Sequence, residues 1–188
     1  MNNTLYLFVG QSGSGKTTMA EQMEHTYGYQ SVQSYTTRPQ RYEGETGHIF
    51  LSDEEFNRLT DIVAYTDYNG FRYCTTAEQL DQSTVYVIDV PGVEYLLEKY
   101  NNTNRPIIIL YFDTNTKTRV LRMIDRGDSD ANIVARLLED GEDNWYDQLL
   151  NVCHRYDNKF KWLDIRKINA NKNKKLVWEQ VEDYIFPF

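Results

Sequence analysis

The sequence has few cysteines and no long apolar run, and each shortage excludes a class of protein. Only 2 cysteines, Cys74 and Cys153, occur among 188 residues, too few for the disulfide framework of a small secreted domain. No apolar stretch reaches the roughly 20 residues that a membrane-spanning helix needs. Residues 1–4 carry no basic side chain, and Leu5–Val9 is too short for the apolar part of a secretory signal. We therefore expect a cytoplasmic protein that does not associate with membranes.

Positive charge is also in short supply. The chain has 20 Lys and Arg residues against 28 Asp and Glu residues, a formal net charge of −8. Non-specific binding of nucleic acid is therefore not expected, because each neutralised phosphate needs a nearby Lys or Arg. A small, locally basic phosphate site remains compatible with this balance. The length and the 40% hydrophobic content predict one globular domain spanning residues 1–188.

Short apolar runs alternate with helical stretches along the chain, which predicts βαβ units and an α/β fold. Three of the runs are continuous rather than alternating, the pattern of strands buried on both faces. The strand candidates are Leu5–Val9, Val85–Ile88 and Ile107–Phe112, with Ser31–Tyr35 and Leu163–Ile168 as weaker ones. We therefore expect a five-stranded parallel sheet flanked by helices, with ligands beyond the carboxyl ends of the strands.

Two segments are too long for simple crossovers. Thr36–Leu80 is rich in Tyr, Gly and charged residues, and Thr114–Asp140 carries a cluster of arginines. Long connections in compact α/β domains are usually functional. Both segments are therefore predicted to be functional insertions on the α/β core.

The first apolar run leads into a glycine-rich segment that satisfies the pattern G-x-x-x-x-G-K-S/T. Backbone N–H groups of such a loop surround phosphates, and the following helix adds positive charge from its N-terminus. We expect Lys16 to reach the β- and γ-phosphates of a nucleoside triphosphate and the Thr17 hydroxyl to ligate Mg²⁺. A plain turn before a helix would explain the glycines, but not the Lys-Thr pair after a strand. The residues predicted to bind the triphosphate are Gly10, Gln11, Ser12, Gly13, Ser14, Gly15, Lys16, Thr17 and Thr18.

Two arginines follow the Ser31–Tyr35 strand candidate. Arg38 and Arg41 lie three residues apart, and a guanidinium binds phosphate or carboxylate in a bidentate manner. The pair beside a phosphate loop therefore indicates a second anionic substrate. The alternative is a solvated turn in which these arginines pair with Glu43 or Glu45.

The motifs together resemble the guanylate kinase family, and the match runs over nearly the whole chain. It includes the phosphate loop, Ser34–Arg41, and Gly70-Phe71-Arg72-Tyr73-Cys74-Thr75 in place of the family's Gly-x-Tyr-Tyr-Gly-Ser/Thr. Ile88-Asp89-Val90-Pro91-Gly92-Val93 is similar to the family's Ile-Asp-x-Gln-Gly-Val/Ala, and Arg126-Gly127 followed by Arg136 resembles its lid. The resemblance implies a P-loop NTPase fold with a core (residues 1–35, 81–113 and 141–188), an acceptor-binding insertion (36–80) and a helical lid (114–140).

The resemblance also implies an activity and a set of site residues. It implies phosphoryl transfer from ATP, with Mg²⁺, to a nucleoside monophosphate, with GMP or dGMP as the expected acceptor, by a monomer or homodimer whose partners are small nucleotides. The expected catalytic residues are Lys16, Arg38, Arg126 and Arg136. The expected acceptor-binding residues are Ser34, Arg38, Arg41, His48 and Tyr73 at the phosphate, and Thr75 and Asp89 at the base. Asp89 could also order water on Mg²⁺ or simply cap the following helix, and His48 could instead be a half-buried structural histidine.

The arginines of the lid can also be placed by their spacing. Arg119, Arg122 and Arg126 recur at i, i+3 and i+7, so they share one face of a helix. Leu121 and Ile124, with Val120, lie on another side and are expected to pack toward the core. The arginine face is a candidate clamp for the transferring phosphoryl group, with a solvated stripe as the alternative for Arg119 and Arg122.

The chain departs from the family pattern at the base pocket. Ala64 stands nine residues before Tyr73, where the family carries a glutamate for the guanine edge, and a methyl group cannot accept a hydrogen bond. Asp61 and Asp67 are the candidate replacements. Two other functions stay open on the sequence alone: a ribose 1,5-bisphosphate phosphokinase, and a non-catalytic guanylate kinase-like module that binds proteins.

Overall fold

A computed structural model describes residues 3–40, 43–141 and 144–186. Strands and helices alternate over these ranges. The strands are β1 (Leu5–Val9), β2 (Ser34–Thr36), β3 (His48–Phe50), β4 (Ile62–Tyr68), β5 (Phe71–Thr76), β6 (Val85–Val87), β7 (Ile107–Asp113) and β8 (Leu163–Asn169). The helices are α1 (Lys16–Tyr27), α2 (Asp53–Phe56), α3 (Ala77–Gln82), α4 (Val90–Lys99), α5 (Thr116–Asp125), α6 (Asp130–Asp140), α7 (Trp145–Tyr156) and α8 (Lys174–Ile185).

The central sheet is parallel and has the order β6-β1-β7-β8. Its two inner strands are almost entirely buried because helices cover both faces. Helices α1 and α8 supply one buried cluster, with Met23 and Val181 fully enclosed. Helices α4 and α7 supply the other, with Leu96 and Leu149. The continuous apolar runs thus form the strands that the sequence predicts, in a sheet closed off from water.

The prediction of a fifth strand in the parallel sheet is wrong. Within the described ranges the parallel sheet has four strands, and of the Ser31–Tyr35 candidate only Ser31 pairs with it, through one isolated bridge to Val85. The chain then turns away, and β2 pairs with β3 and β5 instead. The backbone groups of residues 34–36 therefore find their hydrogen-bond partners in the segment that follows, which removes the need for the central sheet.

A second sheet, with the order β3-β2-β5-β4, stands beside the first. Strands β4 and β5 form a hairpin whose turn is Asn69-Gly70, both residues at positive φ (52° and 77°). This dipeptide suits the tight turn because Asn and Gly adopt positive φ at little cost. Val63 and Ala64 of β4 lie in the same buried cluster as Val93 of α4. That contact joins the second sheet to the core and leaves a cleft above the phosphate loop.

Helix α5 packs with the opposite face from the one its apolar residues predict. Arg119 is 2% exposed, whereas Leu121 and Ile124 are 51% and 52% exposed. The expectation that the apolar residues turn inward is therefore wrong for these two. Arg119 is buried because acceptors from other segments of the chain surround its guanidinium.

None of the helices in the described ranges has the length and apolar content of a membrane-spanning segment.

Candidate functional site

A cavity of about 180 Å³ lies where the central sheet, the second sheet and the end of α6 meet. The central part contributes the phosphate loop and the segment after β6, the second sheet contributes polar and aromatic side chains, and the start of α7 contributes an indole. Its lining residues are Gly10, Ser12, Lys16, Ser34, His48, Tyr65, Thr66, Tyr68, Tyr73, Tyr86, Val87, Ile88, Asp89, Gly92, Asp140 and Trp145. The cavity is therefore bounded by residues from both the predicted triphosphate site and the predicted acceptor site.

The phosphate loop curls tightly between β1 and α1 and needs glycine to do so. Gly13 has a φ of 77°, and a Cβ there would lie 2.7 Å from the Arg119 carbonyl oxygen. A Cβ on Gly10 would lie 2.9 Å from the Phe112 carbonyl oxygen. Helix α1 begins at Lys16, and no side chain among the described residues caps its N-terminus. Its first N–H groups are therefore available to an anion.

The Lys16 side chain folds back onto its own loop. Its Nζ donates to the carbonyl oxygens of Gly10 (2.5 Å) and Gln11 (3.0 Å) and contacts the Ser14 hydroxyl (3.3 Å). Burial of the amine lowers the pKa of Lys16 to about 8, although the Asp140 carboxylate opposes this shift. The amine is thus positioned at the mouth of the loop, still predominantly charged at pH 7.

The remaining predicted triphosphate residues form one continuous stretch with Lys16. Gln11 and Ser14 are buried within the loop, whereas Thr17 and Thr18 are exposed on the first turn of α1. The Thr17 hydroxyl is therefore accessible as a ligand on the side of the helix N-terminus. We still regard the assignment of residues 10–18 to a triphosphate as a prediction, since it describes a ligand contact.

Four of the predicted acceptor residues line the same cavity. Ser34 and His48 are joined by a hydrogen bond of 2.9 Å between Oγ and Nδ1. The imidazole also packs edge-on against Tyr73, with ring centroids 5.6 Å apart. Because β2 lies between β3 and β5, these three side chains are brought together by strand pairing. Asp89 is the fourth member, and it lies between β6 of the central sheet and α4.

Asp89 acts both as a helix cap and as a cavity residue. One oxygen, Oδ1, accepts from the Gly92 N–H at 2.8 Å and so caps α4, as the structural alternative anticipates. The other, Oδ2, accepts from the Thr66 hydroxyl at 2.9 Å. Burial raises the pKa of Asp89 above its usual range, while these hydrogen bonds and Lys16 favour the charged form.

Two predicted acceptor residues, Thr75 and Arg38, do not line the cavity, and a third is not among the described residues. Thr75 is completely buried, and its hydroxyl donates to the Tyr86 hydroxyl at 2.8 Å, so it reaches the cavity only through Tyr86. Arg38 is buried against Glu45, with two hydrogen bonds of 2.8 and 3.1 Å, as the ion-pair alternative anticipates, and it does not line the cavity. Arg41 lies outside the described residues.

The two predicted lid arginines share one carboxylate. Arg126 forms a two-point ion pair with Asp128, and the Arg136 Nε lies 3.7 Å from the same side chain. Arg126 keeps 51% of its side chain exposed and Arg136 keeps 20%. The two guanidiniums are therefore close together at the junction of α5 and α6, but neither lines the cavity.

The donor atoms present suit Mg²⁺. No group of three or more His, Cys, Asp or Glu side chains that could hold a metal occurs in the described ranges. Mg²⁺ does not need one, because it prefers oxygen ligands and binds through one or two protein oxygens, phosphates and water. The Thr17 hydroxyl and the Asp89 carboxylate supply oxygen ligands of this kind, so the residues present fit the ion.

Comparisons with known proteins point in one direction. No protein-family model matches the chain. A guanylate kinase from Fusobacterium nucleatum subsp. nucleatum is 28% identical over 147 residues, which cover 71% of this chain and 77% of that protein. The crystal structure of guanylate kinase from Anaplasma phagocytophilum matches with a TM-score of 0.54 at 15% identity, covering 98% of this chain and 86% of that one.

In sequence and in fold, this chain is similar to guanylate kinases. The resemblance read from its motifs is confirmed, and so is the α/β fold, apart from the number of parallel strands. The departure from the guanylate kinase pattern at Ala64 can now be placed in the structure. Ala64 is 1% exposed and does not line the cavity, and neither do its candidate replacements, Asp61 and Asp67. Asp67 accepts a hydrogen bond from the Tyr65 hydroxyl.

Sequence reasoning missed several residues that line the cavity. Thr66, Tyr68, Asp140 and Trp145 all line the cavity. Alternation along β4 places positions 66 and 68 on the face of position 64, so the strand pattern could have found the first two. No local pattern marks the others. Asp140 is the last residue of α6 and is 4% exposed, held there by Ser12 and Arg119.

Proposed function

We propose that this chain is a nucleoside monophosphate kinase that transfers the γ-phosphoryl group of ATP, with Mg²⁺, to GMP or dGMP. One observation carries the proposal: Lys16 of the phosphate loop lines the same cavity as Ser34, His48 and Tyr73. Donor and acceptor phosphates bound on these walls would face each other across it. Similarity to guanylate kinases in sequence and fold supports the same reaction.

The residues divide the chemistry between positioning and charge. Backbone N–H groups of residues 10–18 would hold the ATP phosphates, and Lys16 would lie against the transferred group. Ser34, His48 and Tyr73 would hold the acceptor phosphate through their hydroxyl and imidazole groups. The transition state of phosphoryl transfer is loose, so these residues need to align and neutralise the oxygens rather than form a covalent intermediate.

The lid arginines would act when the cleft closes. Arg126 and Arg136 lie together beside Asp128, and we propose that closure directs them onto the transferring phosphoryl group and excludes water. Arg38 is proposed to support the acceptor site as well, although its partner here is Glu45. Thr17 would hold Mg²⁺ directly and Asp89 through bound water, and the ion would supply neutralisation of negative charge on the phosphates.

The proposed function also assigns a role to each segment of the chain. We propose residues 36–80 as the acceptor-binding insertion, 114–140 as the lid, and the rest of a single domain as the core. We also propose a cytoplasmic monomer or homodimer. Cys74 and Cys153 are both buried free thiols, which suits a reducing compartment. Sedimentation at several concentrations measures the oligomeric state.

An assay of ADP release tests the function. Purified protein with ATP and Mg²⁺ is given GMP, dGMP, other nucleoside monophosphates and ribose 1,5-bisphosphate in parallel. We expect turnover well above the no-acceptor background with GMP or dGMP. Turnover with ribose 1,5-bisphosphate alone would assign the other phosphokinase activity. No turnover with any acceptor, together with retained nucleotide binding, would favour the non-catalytic module.

A further inference from the structure

One face of β4 carries an apolar residue, Ala64, followed by a polar residue, Thr66, that borders the cavity. Ala64 has no hydrogen-bonding side chain and is buried. Because alternate residues of a strand share a face, positions 64, 66 and 68 lie on one side of β4. Thr66 and Tyr68 line the cavity. On that face, the polar side chain nearest to Ala64 along the strand is therefore that of Thr66.

Hydrogen bonding restricts what Thr66 can offer a ligand. Its hydroxyl donates to Asp89 Oδ2 at 2.9 Å. A hydroxyl has a single proton, so once that proton is given to the carboxylate only the lone pairs of the Thr66 oxygen face the cavity. Asp89 is itself kept in place by the Gly92 N–H on its other oxygen. Thr66 and Asp89 therefore form an edge of hydrogen-bond acceptors with no donor.

An edge of acceptors selects among the nucleobases. Guanine presents two neighbouring donors, the ring N1–H and the exocyclic 2-amino group. Adenine and cytosine present a donor next to an acceptor, and uracil and thymine present one donor between two carbonyl oxygens. An acceptor on the base placed opposite Thr66 or Asp89 would bring two lone pairs together with no proton between them. Such a contact weakens binding in a site shielded from water. Guanine is the base whose edge matches this pair.

We propose that Thr66 is a specificity-determining residue that, with Asp89, accepts hydrogen bonds from the N1–H and 2-amino groups of guanine. The proposal rests on the proposed function and assigns to Thr66 the base contact that Ala64 cannot make. The tyrosines that also line the cavity, Tyr65 and Tyr86, offer aromatic surface for the plane of the base.

Substitution of Thr66 tests the proposal with three acceptors. Thr66→Val removes the hydroxyl and keeps the branched shape, and Thr66→Ser restores the hydroxyl. GMP, IMP, which lacks the 2-amino group, and AMP serve as acceptors with ATP and Mg²⁺. We expect Thr66→Val to lower kcat/KM for GMP by about 10- to 100-fold, chiefly through KM, and to reduce the preference for GMP over IMP. Thr66→Ser should stay within about threefold of wild type.

Thr60→Val is the matched control. The Thr60 hydroxyl also lies near an aspartate, Asp61 (3.5 Å), but it is exposed and outside the cavity. Thr60→Val should leave all three kcat/KM values unchanged. A Thr66→Val protein that keeps the wild-type ratio of GMP to IMP overturns the proposal, whatever happens to its overall rate, because a purely structural role would slow all acceptors alike.

Equilibrium binding of GMP without ATP separates this proposal from the proposed function. If wild type binds GMP but turns over no acceptor, the kinase assignment fails, and weaker GMP binding by Thr66→Val still supports the role of Thr66. If wild type turns over a monophosphate without a guanine preference, the kinase assignment stands and the role of Thr66 is overturned. Equal GMP binding by wild type and Thr66→Val also overturns it, as does a wild type that binds no GMP.

Discussion

Arg119 and Asp140 form an ion pair inside the protein, with the guanidinium Nη2 2.5 Å from the carboxylate Oδ2 and both side chains 2% exposed. The pair holds the phosphate loop from both sides. Asp140 accepts from the Ser12 N–H at 2.9 Å, and Arg119 donates to the Ser12 carbonyl oxygen at 2.9 Å and to Gln11 Oε1 at 2.6 Å. Helices α5 and α6 thereby fix the conformation of the loop.

Removing the carboxylate should therefore destabilise the protein and weaken ATP binding. Asp140→Ala removes a charged acceptor from the buried Arg119 guanidinium and from the Ser12 N–H, and we expect it to lower the free energy of unfolding by about 3–5 kcal/mol. Urea denaturation measures the change. The control is Arg155→Gln, which breaks the exposed pair of Arg155 with Glu94 (2.8 Å, side chains 55% and 41% exposed) and should cost less than about 1 kcal/mol. Equal losses in the two variants would contradict the structural role given to Asp140.

A second prediction concerns the glycine at the centre of the loop. Gly13 and Gly28 both have positive φ (77° and 67°), but a Cβ would meet the Arg119 backbone at 2.7 Å in the first and nothing within 4 Å in the second. Gly28→Ala should lower the free energy of unfolding by about 1–2 kcal/mol through backbone strain alone. Gly13→Ala should lower the free energy of unfolding by about 1–3 kcal/mol more than Gly28→Ala does, because the loop must shift to accept the Cβ. Thermal unfolding compares them, and equal midpoints would argue against the tight packing of the loop.

Lys16 provides the test of the predicted catalytic role. Lys16→Met removes the charge at the mouth of the loop, and we expect kcat to fall by at least about 100-fold with the fold intact by circular dichroism. Lys175→Met is the control, because Lys175 is exposed on α8 and only approaches Glu179 at 3.8 Å. Wild-type turnover by Lys16→Met would refute the role.

The lowered pKa of Lys16 predicts a limb in the pH profile. A pKa of about 8 means that the amine loses its proton as the pH rises through 8, and the neutral amine no longer attracts phosphate. The value of kcat/KM for ATP, which reports the free enzyme, should therefore fall between pH 7 and pH 9. Lys16→Arg should show no such limb, because the guanidinium stays charged. A wild-type profile that is flat over this range would contradict the prediction.

Arg126 should affect the rate far more than stability. Its ion pair with Asp128 is half exposed, so Arg126→Ala should change the free energy of unfolding by less than about 1 kcal/mol. We expect kcat to fall by at least about 100-fold if the guanidinium contacts the transferring group. Arg166→Ala, which breaks the exposed pair of Arg166 with Asp164, should leave kcat unchanged. Similar kcat values for the two variants would remove Arg126 from the proposed clamp.

Local sequence patterns determined the central strands and the phosphate loop. Continuous apolar runs become β1, β6 and β7, and the glycine spacing predicts the loop before α1. These features depend on neighbouring residues, so they can be read from a short stretch of chain. The same approach failed for Ser31–Tyr35, whose apolar and polar pattern suits either sheet, and pairing with β3 and β5 decided between them.

Only the tertiary structure decided which polar side chains face inward. Arg119 and Asp140 meet Ser12 across 107 and 128 positions of sequence, and Thr66 meets Asp89 across 23. A buried polar group is stable only where the fold brings it a partner, and helical spacing carries no information about partners that distant. For that reason the sequence alone located the phosphate loop, while the burial of Arg119 and the acceptor edge at Thr66 became visible only in the folded chain.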